Sequence, residues 1–252
     1  MDHLLRATAR AEADHFWFRG FRYFVGPLVE QATAGIPTPS ILDCGCGTGA
    51  NVEWLSHYGR ACGFDLNGSG LRIGTKAART RLAQASVAAI PFPADRFDLV
   101  TSFDVLYSLE KPVERAAVAE MYRVVRPGGH AVVNVAAMDV LRGDHSILSQ
   151  EQRRYSRGSL RTVLTEAGFE IRRLTYTNAL LFLPMAASRT WQRWRGLRSE
   201  QQADHEISVP PVPVNLLLTG ALKVESWWLP FADSPFGSSL LCLARKPVDR
   251  AG

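Results

Sequence analysis

The chain has 252 residues, is 46% hydrophobic and carries a formal charge of +5. That apolar content supports a buried core and excludes global disorder, and the length fits one large domain or one domain with an inserted cap. The positive balance is modest and gathers late, at Arg189, Arg193, Arg195 and Arg198. With no ribonucleoprotein or helix-turn-helix motif, it speaks against nucleic acid as a partner. No apolar run approaches the ~20 residues that cross a bilayer; the longest, 179–187, is broken by Pro184. Acids and arginines arrive too early for a signal peptide. The four cysteines, Cys44, Cys46, Cys62 and Cys242, lack the paired spacing of a zinc site. They read as packing thiols in a reducing cytosol, so the expected location is cytoplasmic, with no metal.

Residues 1–34 read as helical from the recurrence of Leu4, Leu5, Ala9, Phe21, Phe24, Val25 and Leu28. An aromatic-basic cluster, His15 to Arg22, lies within them, and Gly35-Ile36-Pro37-Thr38-Pro39 breaks the pattern. A first strand follows at 41–44, a helix at 50–58, and a second strand at 61–65. A helix capped by Asn67-Gly68-Ser69 runs from there to about Thr80. A third strand is expected at 82–87 and a fourth at 97–103, apolar enough to be buried on both faces. A helix over 111–126 ends at Pro127-Gly128-Gly129, and a fifth strand covers 130–136. A helix over 156–168, capped by Ser156 or Ser159, precedes strands at 169–176 and 238–246.

Seven strands alternating with helices predict an α/β fold, a doubly wound, mostly parallel sheet with right-handed crossovers. Between the last two strands lies a stretch, 178–237, far longer than an ordinary connection. It holds Trp191, Trp194, Trp227 and Trp228 and the run Pro210-Pro211-Val212-Pro213. We read it as a helical substrate cap in a single domain of 1–252. The other parts are an N-terminal helical cap at 1–37, a cofactor-binding core at 38–177 and a last strand and tail at 238–252.

Chemistry concentrates in Ile41-Leu42-Asp43-Cys44-Gly45-Cys46-Gly47-Thr48-Gly49. This is a strand running into a tight turn and a helix start. Glycine tolerates positive φ and, lacking Cβ, lets backbone lie against a flat ligand; the helix start offers free N–H groups. The spacing G-x-G-x-G is not that of the dinucleotide fingerprint, which speaks against a nicotinamide-dependent oxidoreductase. Asp43 precedes the turn, where a carboxylate can meet a cation. Asp65 closes the next strand about 20 residues beyond Gly45, the separation at which an acid meets ribose hydroxyls. An acid-preceded turn without a basic residue suits a cationic, phosphate-free nucleoside. Asp43 to Gly49, Asp65, Ser86-Val87 and Phe103-Asp104 all fall at carboxyl ends of strands, where ligands of such sheets bind.

The run Ile41 to Gly49 resembles the first motif of the class I S-adenosylmethionine-dependent methyltransferases, nearest to the ubiquinone/menaquinone-biosynthesis-like (type 11) group. Later matches are Pro91-Phe92-Pro93, Phe97-Asp98-Leu99-Val100 and Arg126-Pro127-Gly128-Gly129. The resemblance covers about residues 38–177. It implies a Rossmann-like fold and S-adenosyl-L-methionine as cofactor, with S-adenosyl-L-homocysteine as product. The expected cofactor contacts are Asp43, Gly45, Cys46, Gly47 and Gly49 at the turn, Asp65 at the ribose and Leu66 beside the adenine, with Ser86, Val87 and Phe103 nearby. In the N-terminal cap, Arg19 or Arg22 would pair with the cofactor's carboxylate while aromatics shield its sulfonium; a helix merely packed on the sheet is the alternative.

Two positions depart from the family pattern. Ala85-Ser86-Val87 stands where relatives carry an acid that holds the adenine amino group, and Tyr107-Ser108 stands where they carry Glu-His. The candidates for proton transfer are His145, in Arg142-Gly143-Asp144-His145, and Tyr107, with His15 and Tyr155 weaker. A solvent-exposed loop histidine and a packed tyrosine are the bland alternatives. The expected function is methyl transfer to a small, fairly apolar acceptor, a secondary metabolite or lipid precursor, by a monomer or homodimer. A catalytically silent cofactor-binding module is one alternative. Another is an enzyme in weak membrane-surface contact acting on a lipid-linked substrate, motivated by the aromatic, basic stretch 180–195.

Overall fold

The computed structural model describes residues 2–195 and 209–248. Arg198 and part of the long insert fall outside the described residues. The elements in order are α1 (Asp2–Ala11), α2 (Phe16–Thr33), β1 (Ser40–Cys44), α3 (Ala50–Leu55), β2 (Arg60–Asp65), α4 (Gly68–Lys76), β3 (Leu82–Gln84) and β4 (Phe97–Phe103). They continue as α5 (Lys111–Val124), β5 (Val125–Ala136), α6 (Asp144–Leu148), α7 (Arg157–Glu166), β6 (Glu170–Thr177), α8 (Phe182–Trp194), α9 (Val212–Trp228) and β7 (Ser239–Arg245).

The strands form one seven-stranded sheet in the order β3-β2-β1-β4-β5-β7-β6. The pairs β1–β2, β1–β4, β2–β3 and β4–β5 are parallel. β7 inserts antiparallel between β5 and β6. β1 therefore has its sequence neighbour β2 on one side and β4 on the other. The strand order reverses there, opening a crevice at the carboxyl ends of β1 and β4. All seven residues of β4 are buried, as its apolar run requires of a central strand covered on both faces. One core layer joins Leu42, Val100, Met121, Val133 and Leu164 on the α5 and α7 side. The other joins Val25, Leu28, Val29, Leu99, Val132 and Leu243 beneath α2.

Several boundaries differ from those expected. The N-terminal helical stretch is two helices, because His15 leaves the helical region and caps α2 by accepting the Trp17 N–H at Nδ1. α4 stops at Lys76, ahead of Ala78 at φ +59°. β3 ends at Gln84 because Ser86 folds into its own turn, accepting the Ala88 N–H. Pro127-Gly128-Gly129 does not terminate α5. α5 ends at Val124, Val125 is already extended, and β5 runs through all three residues; the restriction that Pro127 places on Arg126 suits this strand. The register of β4 against β5 shifts there, and a Cβ on Gly129 would lie 2.9 Å from the Asp98 carbonyl. α7 begins as its sequence implies, with Ser156 and Ser159 in a reciprocal capping box.

The insert contributes α8 and α9. α9 runs alongside α2: Asn215 Oδ1 accepts the Phe16 N–H, and Leu222 lies so close that a Cβ on Gly20 would meet its Cδ1 at 2.2 Å. α8 turns toward residues 140–144, where Arg193 donates to the Val140 carbonyl and Arg195 pairs with Asp144 at 2.5 Å.

Candidate cofactor site

Three successive odd positions of the β1–α3 turn sit in the left-handed region: Gly45 at φ +84°, Gly47 at +55° and Gly49 at +80°. Side chains rarely adopt that conformation, which explains the residue type at all three. The turn is tied to β2 because the N–H groups of Gly45 and Cys46 both donate to the Phe64 carbonyl. Space is short as well. A Cβ on Gly45 would lie 2.3 Å from Val105 Cγ2, and one on Gly49 would lie 2.8 Å from the Leu82 methyls. Cys46 presents its backbone to the turn and buries its thiol against Gly63. Burial pushes its pKa up, as it does for Cys44; neither thiol is a nucleophile at neutral pH.

Asp65, at the end of β2, faces this turn. Its Oδ2 accepts the Gly47 N–H at 2.8 Å and its Oδ1 accepts the Asn67 N–H at 2.7 Å. Each carboxylate oxygen keeps further acceptor capacity. Leu66 is largely exposed beside it, and Gln84 Nε2 donates to the Leu66 carbonyl.

Asp43 lies beneath the turn and is buried. Its Oδ1 accepts a 2.7 Å hydrogen bond from Thr101 Oγ1 of β4, and its Oδ2 has no partner. Burial raises its pKa to about 7; the Thr101 hydroxyl opposes the shift and Asp65 adds to it. A buried carboxylate with a vacant oxygen is costly unless a donor or cation meets it. Thr101 was not found from the sequence; its partnership with Asp43 spans 58 positions and exists only because β1 and β4 are adjacent.

α1 closes over the turn. Leu5 lies 3.4 Å from where a Gly47 Cβ would stand, and Glu12 Oε2 accepts the Thr48 hydroxyl at 2.6 Å. Glu12 Oε1 also pairs with Arg79 at 2.6 Å, and Arg79 donates to the Thr48 carbonyl. Nothing in the spacing of Glu12, Thr48 and Arg79 announces this latch.

The remaining candidates divide. Phe103 is buried, its ring edge-on to Phe21 of α2 at 4.9 Å. Phe21, Trp17, Phe24 and Val25 wall a small cavity with Asn134, Thr177, Asn178 and Ser239, at the carboxyl end of β5. Asn134 Nδ2 donates to Asp104 Oδ1 at 3.0 Å. Arg19 lies two residues before Phe21 on α2, about 160° around the helix from the side that meets Phe103. Arg22 sits in the field of Glu12, and burial lowers its pKa. Ser86 is half-buried at the end of β3 with its hydroxyl engaged by Ala88, and the Val87 side chain packs on the core.

Among the proton-transfer candidates, Tyr107 belongs to the buried core, and burial raises its pKa well above normal. Tyr155 is buried and its hydroxyl donates to Glu114. His15 caps α2 and stacks on Phe16. His145 lies in α6, but its side chain is outside the described residues.

Comparison with known proteins agrees with this geometry. Residues 42–133 match a methyltransferase domain family. Over those residues the chain is similar to class I methyltransferase domains, and the curated relatives it matches are of the UbiE group. It is 38% identical over 113 residues to the ubiquinone/menaquinone biosynthesis C-methyltransferase UbiE of Cupriavidus taiwanensis, covering 40% of this chain and 45% of that protein. The chain spans about half the length of such curated relatives. The fold is shared with Haemonchus contortus phosphoethanolamine N-methyltransferase 2, solved in complex with S-adenosyl-L-methionine. The TM-score is 0.61 at 16% identity, over 98% of this chain and 57% of that one. It is also shared with the [4+2]-cyclase SpnF, with a TM-score of 0.58 at 20% identity, over 89% and 80%.

The residues present fit the cofactor of this domain type. The vacant Asp43 oxygen, the turn without side chains and the carboxylate of Asp65 together offer acceptors and backbone, with no basic residue between Ile41 and Asn51 to attract a phosphate.

Proposed function

We propose that this chain binds S-adenosyl-L-methionine at the β1–α3 turn and transfers a methyl group to a small, fairly apolar acceptor. The observation that carries the reading is the pairing of a buried, half-satisfied Asp43 with Asp65 across a turn of three left-handed glycines. When bound, the cofactor supplies the reactive methyl on a sulfonium. The protein's part is to hold and orient. Asp43 lies under the turn to receive a cationic amino group, directly or through a water, and the spare acceptor capacity of Asp65 takes ribose hydroxyls. Leu66 flanks the base in this reading, and the Ser86 hydroxyl and the Val87 N–H, in the turn just beyond β3, serve its edge. Arg19 or Arg22 serves the cofactor's carboxylate, with Arg22 in the field of Glu12.

The acceptor's place in this reading is the cavity walled by Trp17, Phe21 and Phe24, next to Phe103. Its α2 wall, Trp17, Phe21, Phe24 and Val25, is apolar and its strand-end wall, Asn134, Thr177, Asn178 and Ser239, is polar, which supports a fairly apolar acceptor with a polar group near the reacting atom; the UbiE relatives' names point to carbon as the methylated atom. The reading uses no general base beyond His145, and a nucleophilic acceptor requires none.

Isothermal titration with S-adenosyl-L-homocysteine tests the cofactor half. Binding in the micromolar range is expected, and none at high micromolar concentration with folded protein would overturn it. Because the same fold serves a cyclase, methyl transfer is tested separately, by mass spectrometry of a panel of phenolic and quinone-like acceptors. Binding without transfer to any of them would favour the silent-module alternative.

A further inference from the structure

α9 is built inside out. Its side facing the protein carries Asn215, Thr219, Glu225 and Ser226, with Leu222 as the apolar anchor. The side facing away carries Leu216, Leu217, Val224, Trp227 and Trp228, all more than half exposed. An ordinary surface helix does the reverse. The inner polar groups are specifically engaged: Asn215 bonds the Phe16 N–H and the Asp14 carbonyl, and Glu225 accepts the N–H groups of Ala179 and Leu180. Those bonds, with Leu222 seated on Gly20, fix the rotation of the helix about its axis. The apolar arc is therefore held outward by design of the inner face.

We propose that the outer face of α9 is a docking surface for an anionic phospholipid bilayer, with the helix lying in the headgroup boundary. Three observations favour lipid over a protein partner. Lys223, at the edge of the arc, is its only charged side chain, and the indole N–H groups of Trp227 and Trp228 are its only other donors; a protein interface brings a hydrogen-bonding rim, which this face supplies sparsely. Charge has one sign: α8 contains no acid and the single acid of α9 is turned inward, so the exposed charges of both helices, among them Arg193 and Lys223, are cationic. That complements anionic headgroups. Tryptophan, the residue suited to the interface, ends both helices: Trp191 and Trp194 on α8, Trp227 and Trp228 on α9, all exposed. No helix among the described residues is long and apolar enough to cross a membrane, so the mode is lying on the surface. The inference is independent of the cofactor reading, and either can fail alone.

Flotation of the full chain with unilamellar vesicles tests it. Vesicles of phosphatidylcholine with 30% phosphatidylglycerol should carry the protein up the gradient, and pure phosphatidylcholine vesicles should carry at least several-fold less. The decisive variant is Gly220→Glu. No atom lies within 4 Å of the added Cβ, so the fold is undisturbed while a carboxylate enters the middle of the arc. It should lower partitioning about tenfold or more, with unchanged thermal melting. Trp227→Ser with Trp228→Ser should do the same. Failure of the wild-type chain to float with the anionic vesicles would overturn the proposal, as would equal flotation of Gly220→Glu. So would a stable dimer in sedimentation equilibrium that Gly220→Glu dissolves, which would assign the face to a second copy.

Discussion

Thr101 Oγ1 and Asp43 Oδ1 are 2.7 Å apart across β4 and β1, and that one bond leaves Asp43 Oδ2 buried with nothing to receive. The hydroxyl supports the ionised carboxylate against a burial that favours the neutral acid, and the balance sets the Asp43 pKa at about 7. A cation placed at Oδ2 would tip it to the ionised form.

This gives a pH dependence with a definite sign. Below pH 7 the free protein holds Asp43 protonated, so binding of a cationic amino group must release that proton. Affinity for S-adenosyl-L-homocysteine should fall toward a limit of tenfold per pH unit below about 7 and level off above it. Asp43→Asn should flatten the profile, and Thr101→Val should move the break to higher pH. Titrations at pH 6 and 8 in buffers of different ionisation enthalpy measure the proton release. In the unliganded protein the raised pKa works the other way. Its stabilising contribution is complete below about 4 and is lost as pH rises through 7. Asp43→Asn should therefore be more stable than wild type at pH 8, by on the order of 2–4 kcal/mol, and melt at a higher temperature.

Asp65 both braces the turn and faces the ligand, and the two roles separate by substitution. Asp65→Ala removes the acceptor of the Gly47 and Asn67 N–H groups and should cost about 1–3 kcal/mol of stability along with cofactor affinity. Asp65→Asn keeps one oxygen for the backbone and should retain most of the stability while losing affinity at least tenfold. Calorimetry and thermal melting of both variants check this, and an unchanged affinity in Asp65→Ala would remove the basis of the cofactor reading.

Gly45→Ala meets two obstacles, φ +84° and Val105 Cγ2 at 2.3 Å. The conformational strain is about 1–2 kcal/mol, and the clash adds to it. Adding Val105→Ala should return the clash component and leave the strain. Chemical denaturation of the single and double variants reads the difference; equal stabilities would show that Val105 is not what confines Gly45.

Glu12 ties α1 to the turn through Thr48 and Arg79. Glu12→Gln removes the charge from a nearly buried pair, although Arg79 keeps Glu53 and the Thr48 carbonyl. A loss of about 1–2 kcal/mol is expected, localised to α1. Amide exchange over residues 2–11 should speed up by about tenfold while β4 and β5 stay protected.

Local physics made the succession of core strands and helices, and the glycine turn, legible in the sequence. Apolar runs of strand length alternated with helical periods, and three glycines in five residues can only mean a backbone that side chains would exclude. The carboxyl-end placement of Asp43, Asp65, Ser86 and Phe103 followed from the same alternation. What the one-dimensional pattern could not contain was anything made by chain segments far apart. The hydroxyl of Thr101 reaches Asp43 only through the β1–β4 pairing, and Glu12 reaches Thr48 only when α1 folds back. The direction in which α9 turns its apolar arc depends on where Asn215 and Glu225 find backbone partners in α2 and the 179–180 turn. Hydrophobic periodicity says that a helix has two faces; the hydrogen bonds of tertiary contact decide which of them the protein keeps.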